Sequence, residues 1–256
     1  MRALRPPQLD TRLRAAADWV EHKGVCADIG CDHGLLGATL LMENRCSRLL
    51  AADLSAPSLE RARTLLTRLG LSQRATFAVA DGLDALDTLP DGRADVICLL
   101  GMGGETVAGI LRRGKARLRG ALLILGAQTE PDRVREALQQ VDYRLTGERI
   151  TDTQGRLYLL MRAEPTARRM HPYSERELLM GPCLLANLPA EWRPWLERRR
   201  RLLTAAQAAR REAGRGEEAD EPRQASENRE LAYTLEALRA LDAHAVTAGK
   251  PGEVRL

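Results

Sequence analysis

The sequence predicts an α/β fold: a mostly parallel sheet closed by an antiparallel edge hairpin, followed by an α-helical hairpin. Three observations carry this expectation. Short apolar runs alternate with helical patterns from residue 25 to about residue 145, the signature of strands joined by covering helices. Two further strand-like runs flank the turn Thr151-Asp-Thr-Gln-Gly155, where Asp152 and Gly155 suit a hairpin. Beyond residue 163 the pattern becomes helical and the charge balance changes.

Taken in order, strands are expected at 25–29, 49–53, 76–80, 95–99 and 121–125, with helices at 35–43, 56–69, 105–117 and 131–140. The edge pair is expected at 143–150 and 156–161. A linker over 168–176, carrying Arg168-Arg169, then leads to helices at 175–188 and 190–211. In the latter, Trp192, Trp195, Leu196, Leu202, Leu203 and Ala206 recur at helical spacing and form one apolar stripe. The stretch 213–222 is rich in Gly and acids and breaks the helix. A last helix follows, with Leu231, Leu235, Leu238 and Leu241 on one face. Two such helices around a polar break read as an antiparallel, coiled-coil-like hairpin. This gives two domains, 1–163 and 164–256. The hairpin serves packing against the first domain, pairing with a second copy in a homodimer, or substrate binding; the chain is otherwise monomeric.

Composition narrows the classes. Hydrophobic residues make up 44% of the 256, yet only one Phe, four Tyr and three Trp are present, so the core is Leu, Val, Ile and Ala. No apolar run reaches the roughly 20 residues of a membrane span. The N-terminus has no apolar leader, which points to a cytoplasmic protein. Cys26, Cys31, Cys46, Cys98 and Cys183 are scattered, without a C-x-x-C pair, so neither a disulfide framework nor a metal site is expected. Charge is unevenly spread. Residues 164–211 carry ten arginines against five acids, and residues 212–256 carry six basic residues against ten acids. The run Arg198-Arg-Arg-Arg201 makes one helix locally basic, as contact with an RNA backbone requires.

The chemistry concentrates in Val25-Cys-Ala-Asp-Ile-Gly-Cys-Asp-His-Gly34, a strand running into a turn before a helix. Strand, turn and helix in that order build a nucleotide-type site at the carboxyl edge of a parallel sheet. The turn reads Asp28-x-Gly30-x-Asp32-x-Gly34 and lacks the G-x-G-x-x-G that cradles a pyrophosphate, which argues against a nicotinamide dehydrogenase. An acidic loop repels phosphate but suits a ligand bearing ammonium and sulfonium charges. S-adenosylmethionine is such a ligand, and methyl transfer is the chemistry it implies.

Two more strand ends agree. Asp53 closes the second strand, where a carboxylate accepts from ribose hydroxyls, and Leu54 follows it in the cofactor set. A bland helix cap is the alternative for Asp53. Asp81-Gly82 ends the third strand, placing a carboxylate beside the exocyclic amine of adenine and a glycine against its ring, although Asp-Gly is also an ordinary turn. The fourth strand leads into Leu100-Gly-Met-Gly-Gly104. Gly101, Met102, Gly103 and Gly104 there leave bare backbone near the sulfonium, with room for a planar acceptor. A phosphate-binding nest is the competing reading.

The chain resembles the bacterial tRNA (adenine(22)-N1)-methyltransferase family. The resemblance rests on Leu9-Asp-Thr-Arg-Leu13, Ala27-Asp-Ile-Gly-Cys-Asp-His33, Asp81-Gly-Leu83, Gly101-Met-Gly-Gly104 and Gly181-Pro182, and spans roughly residues 9–190. It implies a Rossmann-like class I methyltransferase sheet with a C-terminal helical hairpin, S-adenosylmethionine as methyl donor, and tRNA as partner. The implied acceptor is the N1 atom of an adenine in the D-loop. The chain departs from the family pattern at Leu35 and Gly37 and at Gly126-Ala-Gln128, on the acceptor side.

For such an acceptor, Asp32 is expected to offset the developing positive charge or take a proton from the exocyclic amine. His33 is the second catalytic candidate, with capping of the following helix as its structural alternative. Arg12, Gly103, Gly104, Gln128, Arg198 and Arg199 complete the substrate-side set, Arg12 having an exposed, structural role as its alternative. Methylation of another RNA site or a small molecule, and a non-catalytic RNA- or protein-binding module, stay open at this point.

Overall fold

The computed structural model describes residues 5–21, 23–167, 171–213 and 221–248, so Arg168-Arg169 and most of the 213–222 break lie outside the described residues. The chain divides into two compact units, Met1–Pro172 and Tyr173–Leu256.

The first unit opens with helix α1 (Thr11–Asp18), whose N-cap Asp10 accepts from the Leu13 amide at 2.7 Å. Strands β1 (Lys23–Ile29), β2 (Cys46–Asp53), β3 (Ala75–Val79), β4 (Val96–Met102) and β5 (Leu122–Ala127) then alternate with helices α2 (Leu35–Met42), α3 (Ala56–Arg68), α4 (Gly104–Arg113), α5 (Lys115–Leu118) and α6 (Pro131–Gln140). Strands β6 (Tyr143–Thr153) and β7 (Arg156–Pro165) complete a seven-stranded sheet of order β3-β2-β1-β4-β5-β7-β6. The first five strands pair in parallel, and β7 runs antiparallel to both β5 and β6.

The burial pattern explains the sequence. Every residue of β5 is buried, as a strand covered by helices on both faces demands. Helix α2, Leu-Leu-Gly-Ala-Thr-Leu-Leu-Met, is apolar all round and lies in the core, whereas α3 buries only Leu59, Ala62 and Leu66 on one stripe. Gly37 is buried in α2 because an added Cβ would come 2.5 Å from Leu49 Cδ2. Gly126 is closed in by Leu100 and Leu160. These two departures from the family pattern are therefore packing positions, Gly37 in a core helix and Gly126 in a strand, and the expectation that they face an acceptor is corrected.

The order of strands places the site. From β1 the chain steps outward through β2 and β3, then crosses back to β4 on the other side of β1. This reversal opens a crevice at the carboxyl ends of β1 and β4, the place where open α/β sheets bind ligands.

Several boundaries differ from expectation. The 105–117 helix is two, because Gly114 lies buried with Leu83 Cδ1 2.4 Å from where a Cβ would stand. The hairpin strands are longer than expected, joined by Gln154 and Gly155, whose positive φ values of 54° and 78° fit a tight two-residue turn. In the second unit, the 175–188 helix is α7 (Glu175–Met180) and α8 (Pro182–Asn187), separated by Gly181 at φ 95°. Ser174 and Glu177 form a capping box at the start of α7.

Helices α9 (Arg193–Ala213) and α10 (Glu221–Ala248) form the expected antiparallel pair. As α9 ascends through Arg193, Arg199 and Arg210, its ion-pair partners descend through Asp242, Glu230 and Glu227. Trp192, Leu196, Leu203, Ala237, Leu238 and Leu241 are buried in this unit. Leu202 is 55% exposed and does not join the apolar stripe assigned to it.

Candidate functional site

Strand ends bring the acids and glycines of four separate sequence motifs to one edge of the sheet. At the end of β1, Gly30 takes φ 75° and its amide donates to Ala52 O at 2.8 Å, with Cys31 N donating to the same oxygen at 3.0 Å. The loop is thereby tied to β2. A Cβ on Gly30 would come 2.3 Å from Met102 Cε, the end of a flexible side chain that can give way, so it is the left-handed φ that calls for glycine.

Asp28 lies below this loop and not on its open rim. It is 5% exposed, beside Cys98 and Ala51 in register. Burial pushes its carboxyl up to about 7; the Asp53 charge acts the same way, and a hydrogen bond with the Gly37 backbone opposes both.

Asp53, at the end of β2, organises the loop. Its Oδ2 accepts the Asp32 amide at 3.1 Å and its Oδ1 accepts the Ser55 amide at 2.8 Å. The N-cap of α3 is Ser55, whose hydroxyl accepts from Ser58 N, so Asp53 is not the helix cap. Leu54 beside it is 72% exposed, and Val79 at the end of the neighbouring β3 is 58% exposed. Bare apolar side chains at a site edge are what the face of a purine covers.

Asp81 is exposed, and its two oxygens lie 3.4 and 3.3 Å from Arg113 Nη2. Gly82 is buried at φ 55°, with Ile110 filling the place of a side chain. Its missing Cβ thus serves the packing of α4, which corrects the expectation of a glycine lying open to a ring.

The β4 loop also divides. Register shifts between Leu100 and Met102, leaving Gly101 outside the ladder, exposed and at φ 82°. Gly103 and Gly104 are not open: added Cβ atoms would meet Thr129 Oγ1 at 3.2 Å and Glu130 O at 2.1 Å. Gly104 N donates to Thr129 O at 2.9 Å, and Gln128 N donates to Met102 O at 2.9 Å. The β4 and β5 loops are thus joined, with the Gln128 side chain exposed at their rim. Of the three glycines expected to bare the backbone, Gly101 does so.

Asp32 and His33 stand together. Asp32 adopts φ 44°, a left-handed conformation that costs a non-glycine residue about 1–2 kcal/mol. Its Oδ1 accepts from Arg61 Nη2 at 2.9 Å, and its Oδ2 lies 3.6 Å from His33 Nε2. Gly34, not His33, is the N-cap of α2, and it makes no side-chain cap bond.

Arg12 is mostly buried, with its side chain 19% exposed, and so is not the solvent-facing residue of the structural alternative. Its guanidinium carbon sits 5.0 Å from the Tyr158 ring centroid, and its Nη1 lies 3.4 Å from the place of a Gly101 Cβ. Its Nε is buried and has no hydrogen-bond partner among the described residues. In the second unit Arg198 is exposed, but Arg199 is committed within the hairpin: its Nη2 donates to Glu230 Oε2 at 2.5 Å, and its Nε bonds Oε1.

Sequence reasoning missed Arg61 and Arg113, which grip Asp32 and Asp81 from helices about thirty residues away. Among the described residues no helix is long and apolar enough to cross a membrane, and no three His, Cys, Asp or Glu side chains are grouped to hold a metal.

A Rossmann-like sheet with an acidic loop after β1, an acid ending β2 and an antiparallel last strand pair defines the class I methyltransferase architecture. The family model TrmK, described as tRNA (adenine(22)-N(1))-methyltransferase, matches residues 26–230, and the chain belongs to this family. It is similar to the tRNA (adenine(22)-N(1))-methyltransferase of Bacillus subtilis (strain 168), 31% identical over 158 residues. That match covers 61% of this chain and 65% of the relative's length. Among solved structures it is similar to the B. subtilis M1A22 tRNA methyltransferase TrmK, with a TM-score of 0.80 and 25% identity over 90% of this chain and 98% of the other. M. capricolum TrmK, in complex with the natural cofactor product S-adenosyl-homocysteine, shares the fold with a TM-score of 0.77 and 18% identity, covering 92% and 99%.

Proposed function

We propose that this chain transfers a methyl group from S-adenosylmethionine to the N1 atom of adenine 22 in the D-loop of tRNA, in the cytoplasm. The single observation that supports this most is the meeting of Asp53, Leu54, Gly30 and Gly101 at the β1/β4 switch point in a chain of this family.

The residues present fit the cofactor. Asp53 accepts from the ribose hydroxyls, Leu54 and Val79 cover the purine, and Asp81 accepts from its exocyclic amine. Gly82 shapes the Asp81 turn by packing. Asp28 supports the loop from below, and Gly30 holds its left-handed turn against Met102. Arg12 offers a guanidinium to an anionic oxygen, and its unpartnered buried Nε marks a donor still to be satisfied.

S-adenosylmethionine supplies a methyl group on a sulfonium that an in-line nucleophile displaces. The protein's share is positioning and charge. Gly101 leaves the approach open, while Gly103, Gly104 and Gln128 fix the far wall through the Thr129–Glu130 loop. Neutral adenine N1 carries its own lone pair, so orientation supplies much of the rate. The product ring is cationic, and Asp32, held by Arg61, offsets that charge or accepts from the amine. His33 is the adjacent hydrogen-bonding group. N1 lies on the Watson–Crick edge, so the base is unstacked to reach the site. Arg198 contacts the RNA backbone from the hairpin, and Arg199 keeps the hairpin in shape for it.

The test is mass spectrometry of nucleosides from an unmodified tRNA transcript incubated with protein and S-adenosylmethionine. The expected product is N1-methyladenosine mapped to position 22. Cofactor binding by calorimetry without that product would overturn the acceptor assignment.

A further inference from the structure

A second concavity, of about 570 Å³, lies between α2 and α3 and shares no lining residue with the cofactor set. Its walls include His33, Leu35, Pro57, Arg61, Thr64 and Arg68. We propose that it seats the RNA strand flanking the target nucleotide; this rests on the reading of the chain as an RNA methyltransferase.

The position argues for it first. His33 belongs both to the reaction loop and to the mouth of the groove. Arg61 spans the two, donating from Nη2 to Asp32 Oδ1 and to Ser58 Oγ, each at 2.9 Å. A strand delivering a base to Asp32 and His33 therefore has this groove beside it.

The lining chemistry argues for it second. Leu35, Pro57 and Leu65 give apolar walls for a ribose or base. Arg68 is exposed and has neither an ion pair nor a hydrogen-bond acceptor for its side chain among the described residues. Its place in the last turn of α3 lets it complement the helix terminus while its donors stay open to a phosphate. The one acid in the groove, Glu60, is answered by Arg63 at 3.4 Å. What remains is a guanidinium-edged, apolar-walled channel, which matches a sugar-phosphate strand.

The test uses the full chain with S-adenosyl-homocysteine present. Arg68→Glu and Thr64→Glu are compared with wild type and Arg68→Lys in tRNA affinity over a range of KCl. Arg68→Glu is expected to raise the tRNA Kd about tenfold and lower the salt slope by about 1, with Arg68→Lys restoring both. Thr64→Glu weakens binding as well, S-adenosyl-homocysteine affinity stays unchanged as a check of folding, and ultraviolet crosslinking joins RNA to the 57–68 peptide. Wild-type Kd and salt slope in both Glu variants, with no crosslink there, would overturn the seat while leaving the methyltransferase reading standing. A wild-type chain that binds the cofactor product but ignores tRNA would overturn both.

Discussion

Asp53 Oδ2 accepts the main-chain amide of Asp32 at 3.1 Å, so the acid that ends β2 also restrains the loop that carries Asp32 and His33. On the proposed reading, cofactor binding and acceptor geometry are coupled through this one carboxylate.

On the proposed reading, replacing Asp53 with Ala removes two charge-assisted bonds to the ribose and frees the loop. At about 1.5–3 kcal/mol each, their loss lowers S-adenosyl-homocysteine affinity on the order of a hundredfold or more. Affinity for tRNA stays within about twofold. Calorimetry and filter binding on one preparation read both, and equal losses would show the ribose role misassigned.

Gly30→Ala meets both a left-handed φ and the Met102 methyl. The conformational part alone is about 1–2 kcal/mol, so the thermal midpoint falls by roughly 2–8 °C. The Met102 methyl is the end of a flexible side chain and can move aside, so adding Met102→Ala recovers little of the loss, a pattern readable by circular dichroism.

Asp28 sets a pH dependence. Its folded pKa of about 7 stands above the ordinary 3.8, so the protonated form is the one the fold prefers. Its contribution is fully present below pH 3.8 and is lost as pH rises through about 7. Asp28→Asn removes that slope: compared with wild type, the variant without cofactor gains several degrees in midpoint at pH 8 and little at pH 4.5. A parallel pH profile for the two proteins would refute the assignment.

Arg135 and Glu148 form a pair at 2.8 Å, with side chains 1% and 0% exposed. Arg135→Ala strands a buried carboxylate and costs about 3–5 kcal/mol in urea unfolding. The double change Arg135→Met with Glu148→Leu recovers most of this, because an apolar pair of similar volume avoids both desolvation penalties.

The basic helix separates into two kinds of arginine. Gln at 198, 200 and 201 weakens tRNA binding and flattens its salt dependence without moving the thermal midpoint. Arg199→Gln instead loosens the hairpin by breaking the bonds to Glu230, lowering the midpoint with a smaller change in salt slope.

The parallel strands were legible because each is built on a short apolar run, because helices such as α3 show one apolar stripe, and because Asp28, Asp53 and Asp81 fall where runs end. The residues that shape the site from afar were not legible. Arg61 reaches Asp32, and Arg113 reaches Asp81, only after α3 and α4 dock. The glycines were found but partly misread. Gly82 and Gly104 look like bare backbone in a sequence, yet Ile110 and Glu130 fill the space beside them. Gly114 broke a helix for the sake of Leu83, a contact that no local pattern announces.

The first helix and the last hairpin hold each other. Thr11 Oγ1 bonds Asp152 O and lies 2.6 Å from Thr153 Oγ1, and Arg12 stacks on Tyr158. During synthesis, Arg12 leaves the ribosome long before the ring that fixes it exists. At about 5–20 residues per second, roughly seven to thirty seconds pass before Tyr158 is made. The nascent chain can pair β1, β2 and β4 earlier, but its guanidinium is set above Gly101 only when the closing strands arrive. Methyl-donor capture on stalled nascent chains should therefore appear abruptly once β7 has emerged, and not build up strand by strand.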